Sequence, residues 1–469
     1  MYIEQIYTGC LAQGAYYIHH NGVAAIIDPL REVTPYIERA EKDGVKIKYI
    51  FETHFHADFV SGHVTLAEKT GAPIIYGPNA NPSFKAHISK DGEIFDLGGI
   101  SIKALHTPGH TMESTTYLLL DEDGKETAIF TGDTLFLGDV GRPDLAQKAD
   151  ELTMEDLAGF AYDSLRSKIM PLPDDVVVYP AHGAGSACGK NMMKETVDTL
   201  GNQKKMNYAL RADMTKEEFV KEVTEGLMPP PAYFPLNVKM NKEGYEDIDQ
   251  VLESGLKALS PDEFELIANE TEALMLDVRH QKDFIAGHIP NSIFIGLNGG
   301  FAPWVGELIV DVKQPIILIT PEGKEEEAVT RLSRVGFDNT MGYLAGGLKA
   351  WQAAGKELDT IKSVTATDLE KDYQTFQNRI FDVRKESEFV SEHIIGVHHA
   401  PLSMINQYLS SFPKEESFYI HCAGGYRSVI ASSILKSRGY HNMIDVQGGF
   451  NAIKKTKTPL TDFVCPSTL

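Results

Sequence analysis

Cys422-Ala-Gly-Gly-Tyr-Arg427 follows the apolar run Phe418-Tyr-Ile-His421 and precedes a helical pattern from Ser428 to Arg438. The spacing predicts that a strand ends and a helix begins at this loop. Loop N–H groups and a helix N-terminus stabilise a thiolate, and they cradle an anion that attacks it or leaves from it. Arg427 adds a fixed cation beside the cradle formed by Ala423, Gly424, Gly425 and Tyr426. A structural cysteine packed before a helix is the bland alternative. It fits poorly, because the Gly424-Gly425 pair offers no side chain to pack.

The sequence around this loop occurs twice. Asp277-Val-Arg279 returns as Asp382-Val-Arg384, Phe284 as Phe389, and His288-Ile as His393-Ile, each 105 positions later. Gly346-Gly347 returns as Gly448-Gly449, 102 positions later. A period of this length means two copies of a domain rather than a solenoid. The motifs of both copies resemble the rhodanese family, which carries sulfur as a cysteine persulfide. The copies differ where Tyr-Ile-His-Cys422 of the second faces Ile-Leu-Ile-Thr320-Pro321-Glu-Gly-Lys of the first. No cysteine lies between Cys188 and Cys422. The first copy is therefore expected to be inactive, with a packing or docking role.

Composition bounds the rest. A length of 469 residues suggests about three domains. With 42% apolar and 23% charged residues, the chain can bury ordinary globular cores. A net charge of −22 speaks against nucleic acid or an anionic membrane as partner, since phosphate binding needs basic surface. Four cysteines give no disulfide framework. The start, Met-Tyr-Ile-Glu-Gln-Ile, lacks the basic and apolar regions of a secretory signal. A cytoplasmic protein is expected.

In the N-terminal half, short apolar strands are each followed by metal-binding residue types. After Ile47–Phe51 come His54-Phe-His56-Ala-Asp58-Phe59 and His63. After Ser101–Leu105 comes His106-Thr-Pro-Gly-His110. After Ala128–Phe130 comes Asp133, and after Val176–Tyr179 comes His182. Such residues at the ends of different strands converge on one edge of a sheet. Residues 201–250 read as an appended helical segment, with Met214 to Leu227 rich in helix formers and Pro229-Pro-Pro231 as its stop.

This order resembles the metallo-β-lactamase superfamily, over about residues 1–240. Phe59 stands where the last histidine of that family's first motif belongs, which argues for one metal rather than two. Within the superfamily the resemblance is to the persulfide dioxygenases. It implies one Fe(II) per chain, held by His54, His110 and Asp133. Two histidines and one carboxylate leave coordination positions open for dioxygen and a persulfide sulfur. His56 and Asp58 then orient ligands or water. His182 either orients a ligand or touches substrate. Arg142, in Gly141-Arg142-Pro-Asp144, either contacts an anionic substrate or braces its loop by pairing with an acid. Cys188, in a glycine-rich loop, is a candidate to meet substrate. Cys10 is expected on a pocket wall or buried, and Cys465 exposed.

The expected fold is α/β multidomain. An αββα metallo-β-lactamase sandwich (1–250) is followed by two α/β rhodanese domains with parallel sheets, inactive at 256–358 and active at 362–460. The resemblance implies a persulfide dioxygenase and sulfurtransferase acting on a low-molecular-weight thiol persulfide, O₂ and sulfite or thiosulfate, and a homo-oligomer. Two other readings stand beside it. One is a zinc thioester hydrolase of the glyoxalase II kind with an accessory sulfurtransferase domain. The other is a non-enzymatic sulfur-carrier or persulfide-sensing module.

Overall fold

The computed structural model describes residues 1–146, 152–227 and 229–465. It divides into two compact units: Met1–Gln250 with Leu332–Phe337, and Val251–Arg331 with Asp338–Leu469. Among the described residues, no helix is long and apolar enough to cross a membrane.

The first unit holds two six-stranded sheets. One runs in the order β1 (Tyr2–Thr8), β2 (Gln13–His20), β3 (Val23–Ile27), β4 (Lys46–Phe51), β5 (Ile74–Tyr76), β6 (His87–Ile88). The other runs from β12 (Asp198–Thr199) through β11 (Val177–Pro180), β10 (Glu126–Gly132), β9 (Thr115–Leu120) and β8 (Ile100–His106) to β7 (Ile94–Leu97). The two-residue period of β2 explains the layering. Tyr16 and Ile18 point into a core shared with Ile102, Tyr117 and Phe130 of the second sheet. Ala15 and Tyr17 point the other way, into a core with Tyr36 and Ala40 of helix Thr34–Asp43 and Leu66 of helix His63–Thr70. On the far side of the second sheet, Leu118, Ile129 and Val178 meet helices Met154–Ser164 and Lys216–Thr224. The result is the expected order of layers: helix, sheet, sheet, helix.

The second unit contains two five-stranded, all-parallel sheets of identical order. The first is β13 (Ala258–Leu259), β17 (Thr340–Leu344), β16 (Ile316–Ile319), β14 (Leu274–Asp277), β15 (Ile293–Phe294). The second is β18 (Lys362–Val364), β22 (Met443–Val446), β21 (Phe418–His421), β19 (Ile380–Asp382), β20 (His398–His399).

The repeated motifs are repeated solutions to local problems. Ser260 and Glu263 form a capping box at the start of helix Pro261–Thr271, and Thr365 and Asp368 form the same box for helix Ala366–Phe376. His288 stacks on Phe284 at 4.0 Å and donates through Nδ1 to its carbonyl; His393 stacks on Phe389 at 3.9 Å and does the same. Gly346 and Gly448 both adopt left-handed φ, +70° and +74°, where helices Gly347–Ala353 and Gly449–Ile453 begin. The aspartates that close β14 and β19 are each buried and accept from the arginine two residues on, Asp277 from Arg279 and Asp382 from Arg384. Each arginine also donates to a carbonyl eight positions further, Gly287 or Glu392.

This clamp gives a prediction. Asp277→Ala leaves the largely buried Arg279 without its counter-charge, so the transition of the second unit should lose about 3 kcal/mol in stability. Thermal and denaturant melts check it. A loss under about 0.5 kcal/mol, typical of an exposed pair, would remove the clamp from the fold's supports.

Candidate metal centre and sulfur-transfer loop

The metal-binding residue types of the first unit stand just beyond the C-terminal ends of β4, β8, β10 and β11. His54, His110 and Asp133 come together there, all buried, with one ligand atom from each within 4.8 Å of the others. His54 Nε2 lies 3.8 Å and His110 Nε2 3.4 Å from Asp133 Oδ2. That oxygen is buried and, among the described residues, has no hydrogen-bond partner.

Both histidines are oriented from behind. Asp28 accepts from the Thr53 N–H (2.8 Å) and from its hydroxyl (2.9 Å). The Thr53 oxygen, its proton already given away, accepts from His54 Nδ1 at 3.0 Å. His110 Nδ1 donates to the Arg142 carbonyl at 2.8 Å. In each ring this leaves Nε2 bare and turned toward Asp133. Gly141 lets the chain come this close: a Cβ there would lie 2.1 Å from the Asp133 carbonyl oxygen and 2.9 Å from His110 Nδ1. Burial lowers the pKa of His54, so it is the neutral imidazole a metal requires. Burial works against the Asp133 charge, yet His182, His54 and His110 hold its pKa below the usual carboxylate range. Two ring nitrogens and one carboxylate oxygen converge within ligand spacing, an arrangement that fits a cation.

The other predicted residues fall around this trio. His182 Nδ1 donates to Asp133 Oδ1 at 2.7 Å, and its Nε2 lies 2.8 Å from Asp58 Oδ2. Burial opposes its protonation, but Asp133 and Asp58 push its pKa well up. Asp58, His182 and Cys188 form a second buried group with the spacing of metal ligands. His56 Nε2 turns to Asp28 (3.1 Å) and Glu52 (3.6 Å), while its ring lies 4.2 Å from that of His54. Phe59 is fully buried, its ring 4.4 Å from that of His56. Arg142 is paired with Asp144 through Nε and Nη2, each at 2.7 Å, and its main-chain N–H donates to the Cys188 carbonyl. Cys188 is buried, and burial, with Asp58 and Asp133, pushes its thiol pKa well up; it is a neutral thiol. Cys10 is half-buried and Cys465 exposed.

In the second copy, Cys422 is buried at the end of β21, and the Gly425 N–H donates to its sulfur at 3.1 Å. Arg427, expected as a fixed cation beside the cradle, has both terminal nitrogens on Glu388, at 2.6 and 2.8 Å. Its charge is balanced before any anion arrives. Glu388 escaped the sequence reading, although a signal existed: it sits 105 positions after Asp283, just before the repeated phenylalanine. A cavity of about 230 Å³ beside the loop is lined by Arg384, Glu388, Ala423, Phe450, Lys454 and Phe463. In the first copy the corresponding loop closes on itself, with the Thr320 hydroxyl and the Gly323 N–H both donating to Glu325 Oε1.

Behind Cys422 runs a chain of hydroxyls that the sequence reading also missed. The Cys422 thiol faces Ser428 Oγ at 3.6 Å, and Ser428 donates to Asp445 Oδ1 at 2.7 Å; Ser363 donates to Oδ2 at 3.1 Å. Burial pushes the Asp445 pKa up to about 6, against the pull of both serines. The sign follows from linkage. The folded state keeps a proton that the unfolded chain, with a pKa of about 3.9, gives up. The penalty for ionised Asp445 is absent below about pH 4 and complete above about pH 6. Asp445→Asn should therefore be more stable than the parent at pH 8, by roughly 1–3 kcal/mol, with the gain fading as pH falls to 4. Melts at both pH values check this; an equal gain at both would contradict it.

Comparison with known proteins follows this geometry. Residues 8–182 match the family model described as metallo-beta-lactamase superfamily, and residues 260–354 and 365–456 match that of the rhodanese-like domain. A probable hydroxyacylglutathione hydrolase, glo2 of Schizosaccharomyces pombe, is 34% identical over 34% of this chain; the chain spans 59% of that relative's length. The mitochondrial persulfide dioxygenase ETHE1 of Homo sapiens is 29% identical, with 46% of this chain and 78% of that protein covered. The crystal structure of a metallo-beta-lactamase from Staphylococcus aureus subsp. aureus COL is 30% identical with a TM-score of 0.64, and the match covers 74% of this chain and 98% of that one. With its layered first unit, its metal-binding edge and its two parallel-sheet copies, the chain belongs to the metallo-beta-lactamase superfamily and carries two rhodanese-like domains after that domain.

Proposed function

We propose that this chain oxidises the persulfide of a low-molecular-weight thiol with dioxygen at one iron(II), and moves sulfane sulfur through Cys422. The domains are 1–250 for oxidation, an inactive rhodanese domain at 256–358 and an active one at 362–460. The observation that carries the reading is the ligand set of two histidines and one carboxylate, His54, His110 and Asp133, with Phe59 where a ligand to a second ion would stand. The likeness to a persulfide dioxygenase and the two rhodanese-like domains support the same reading.

Bound iron would supply electrons to dioxygen and one coordination sphere for both reactants. The chain's own residues prepare that site. Asp28 and Thr53 hold His54 in one tautomer, and the Arg142 carbonyl does the same for His110. His182 keeps Asp133 ionised and fixes its outer oxygen. The overall change converts persulfide, dioxygen and water into thiol, sulfite and two protons. At the other site the Cys422 thiolate attacks the outer sulfur of thiosulfate. The sulfur–sulfur bond of thiosulfate breaks, sulfite leaves with the electron pair, and Cys422 becomes a persulfide. An acceptor thiolate then takes the terminal sulfur and returns the Cys422 thiolate. The Gly425 N–H supports negative charge on that sulfur in both steps.

Anaerobic metal analysis should return one iron per chain, and His110→Ala should lower iron occupancy and dioxygen uptake together. Two metals per chain would overturn this part. A second reading, a zinc thioester hydrolase, draws on the hydroxyacylglutathione hydrolase relative and on the adjacent Asp58–His182–Cys188 group, which has ligand spacing. Zinc at two ions per chain, with thioester cleavage and no dioxygen uptake, would favour it.

The two chemistries should separate by mutation. Cys422→Ser keeps the size but removes the good nucleophile, since a serine hydroxyl is essentially un-ionised at neutral pH. It should still consume dioxygen with an added small persulfide and release sulfite, while thiosulfate exchange drops to background. Asp133→Ala should do the reverse. If Cys422→Ser abolishes dioxygen uptake, persulfide on Cys422 is an obligatory intermediate and the scheme of a diffusible substrate fails.

A further inference from the structure

Helix Arg427–Ser437, which follows the Cys422 loop, is buried all round: every residue from Ser428 to Lys436 is buried. A helix lying on its own sheet buries only one stripe. The first, cysteine-less copy contacts it as well. The Phe294 N–H, at the end of β15, donates to Ser433 Oγ at 3.0 Å. Lys436 donates to the Thr360 carbonyl and pairs with Asp359 at 2.9 Å, just past the end of that copy.

The contact is tightest at the loop. The Tyr426 hydroxyl donates to the Gly296 carbonyl at 2.7 Å, and its ring meets the edge of Phe294 at 5.8 Å. Gly299 closes the other side. A Cβ on Gly299 would lie 2.3–2.6 Å from three atoms of the Tyr426 ring, so only glycine fits. Tyr426 is the residue after Gly425, whose N–H points at the Cys422 sulfur. Gly425 has φ +90° and no side chain to restrict it, so the placing of its N–H depends on what fixes the neighbouring residues.

We propose that the cysteine-less copy is a positioning partner in sulfur transfer: its turn Gly296–Gly299 clamps Tyr426 and thereby holds the Gly425 N–H on the Cys422 sulfur. The proposal rests on the reading that Cys422 carries sulfane sulfur. Tyr426 is a positioning residue, acting through the peptide it fixes. It explains why a copy without a cysteine stays folded against the active one: its own loop is closed on Glu325, while the turn after β15 serves its neighbour.

The test uses the full-length, iron-loaded protein with Tyr426→Phe, which removes only the hydroxyl, and Gly299→Ala, which pushes on the ring from a position more than a hundred residues away in sequence. Two quantities are read: thiosulfate-to-cyanide sulfur transfer, and the pH midpoint of Cys422 alkylation by iodoacetamide, followed on its own peptide by mass spectrometry. Tyr426→Phe should lower kcat by roughly 3–10-fold, the worth of one hydrogen bond, and Gly299→Ala by about 10–100-fold, the scale of a displaced catalytic group. Both should raise the alkylation midpoint, because the thiolate loses a held donor. Tyr426→Leu, made alone and together with Gly299→Ala, completes a cycle: the smaller side chain relieves the clash, so the double variant should lose less than the Tyr426→Leu and Gly299→Ala losses multiplied. Unchanged kcat and midpoint in both Tyr426→Phe and Gly299→Ala would overturn the proposal. So would losses that follow only the folded fraction in a thermal melt while the midpoint stays put. A parent protein without any sulfur transfer would sink the reading of Cys422 instead, and the alkylation midpoints would still decide whether Tyr426 positions the loop.

Discussion

The first unit depends on one buried charge. Asp133 stands at the end of β10 with its carboxylate out of water, which costs several kcal/mol unless the surroundings compensate. His182 takes one oxygen. The other faces two imidazole nitrogens and, among the described residues, has no hydrogen-bond partner. Such a corner has the donor set that suits a cation. The rest of the edge serves that set: the Asp28–Thr53 link that turns His54, the glycine at 141 that lets the Arg142 carbonyl reach His110, and Asp58 that steadies His182 from behind.

The second unit applies one scaffold twice and changes its electrostatics only where chemistry is at stake. Asp277 and Asp382 hold equivalent positions and equivalent arginines. Burial wins at Asp277 and raises its pKa despite Arg279. At Asp382 burial is outweighed by His421 and Arg384, and the pKa falls. His421 is the residue before Cys422; its counterpart in the first copy is Ile319, an apolar strand residue. The two copies thus diverge at the strand end, with a histidine and cysteine in one and an isoleucine and threonine in the other, while caps, clamps and stacked histidines are kept.

Much of this was legible in the sequence because it rests on short-range pattern. The strands before each metal-binding residue and the 105-residue repeat follow from residue type, spacing and strand ends, whereas the choice of His54, His110 and Asp133 among those residues comes through the family resemblance. The pairs that cross from one element to another were not legible. Arg427 reads as a fixed cation beside the cradle until the helix Glu386–Ser391 brings Glu388 onto it. Arg142 left two roles open, and only the fold sets its side chain on Asp144 and its carbonyl on His110. Cys188 sits in a glycine-rich loop, which suggests access, yet the loop folds it inward to become a buried, neutral thiol. Asp445 reads as an ordinary polar residue in a strand, and its raised pKa comes from burial that no local pattern encodes.

The Arg427–Glu388 pair also bears on what the Cys422 site can bind. A bidentate arginine–carboxylate pair is among the stronger ion pairs, and both its hydrogen bonds must be exchanged before the guanidinium can serve another anion. The Gly425 N–H is held by the Cys422 sulfur, so an incoming anion gains Arg427 only by displacing Glu388. Pockets for drug-sized ligands run about 300–1,000 Å³, whereas the cavity here is about 230 Å³. Its lining sets Arg384 and Lys454 against Glu388 and Glu392, so the space beside the loop is small and its charges are mixed.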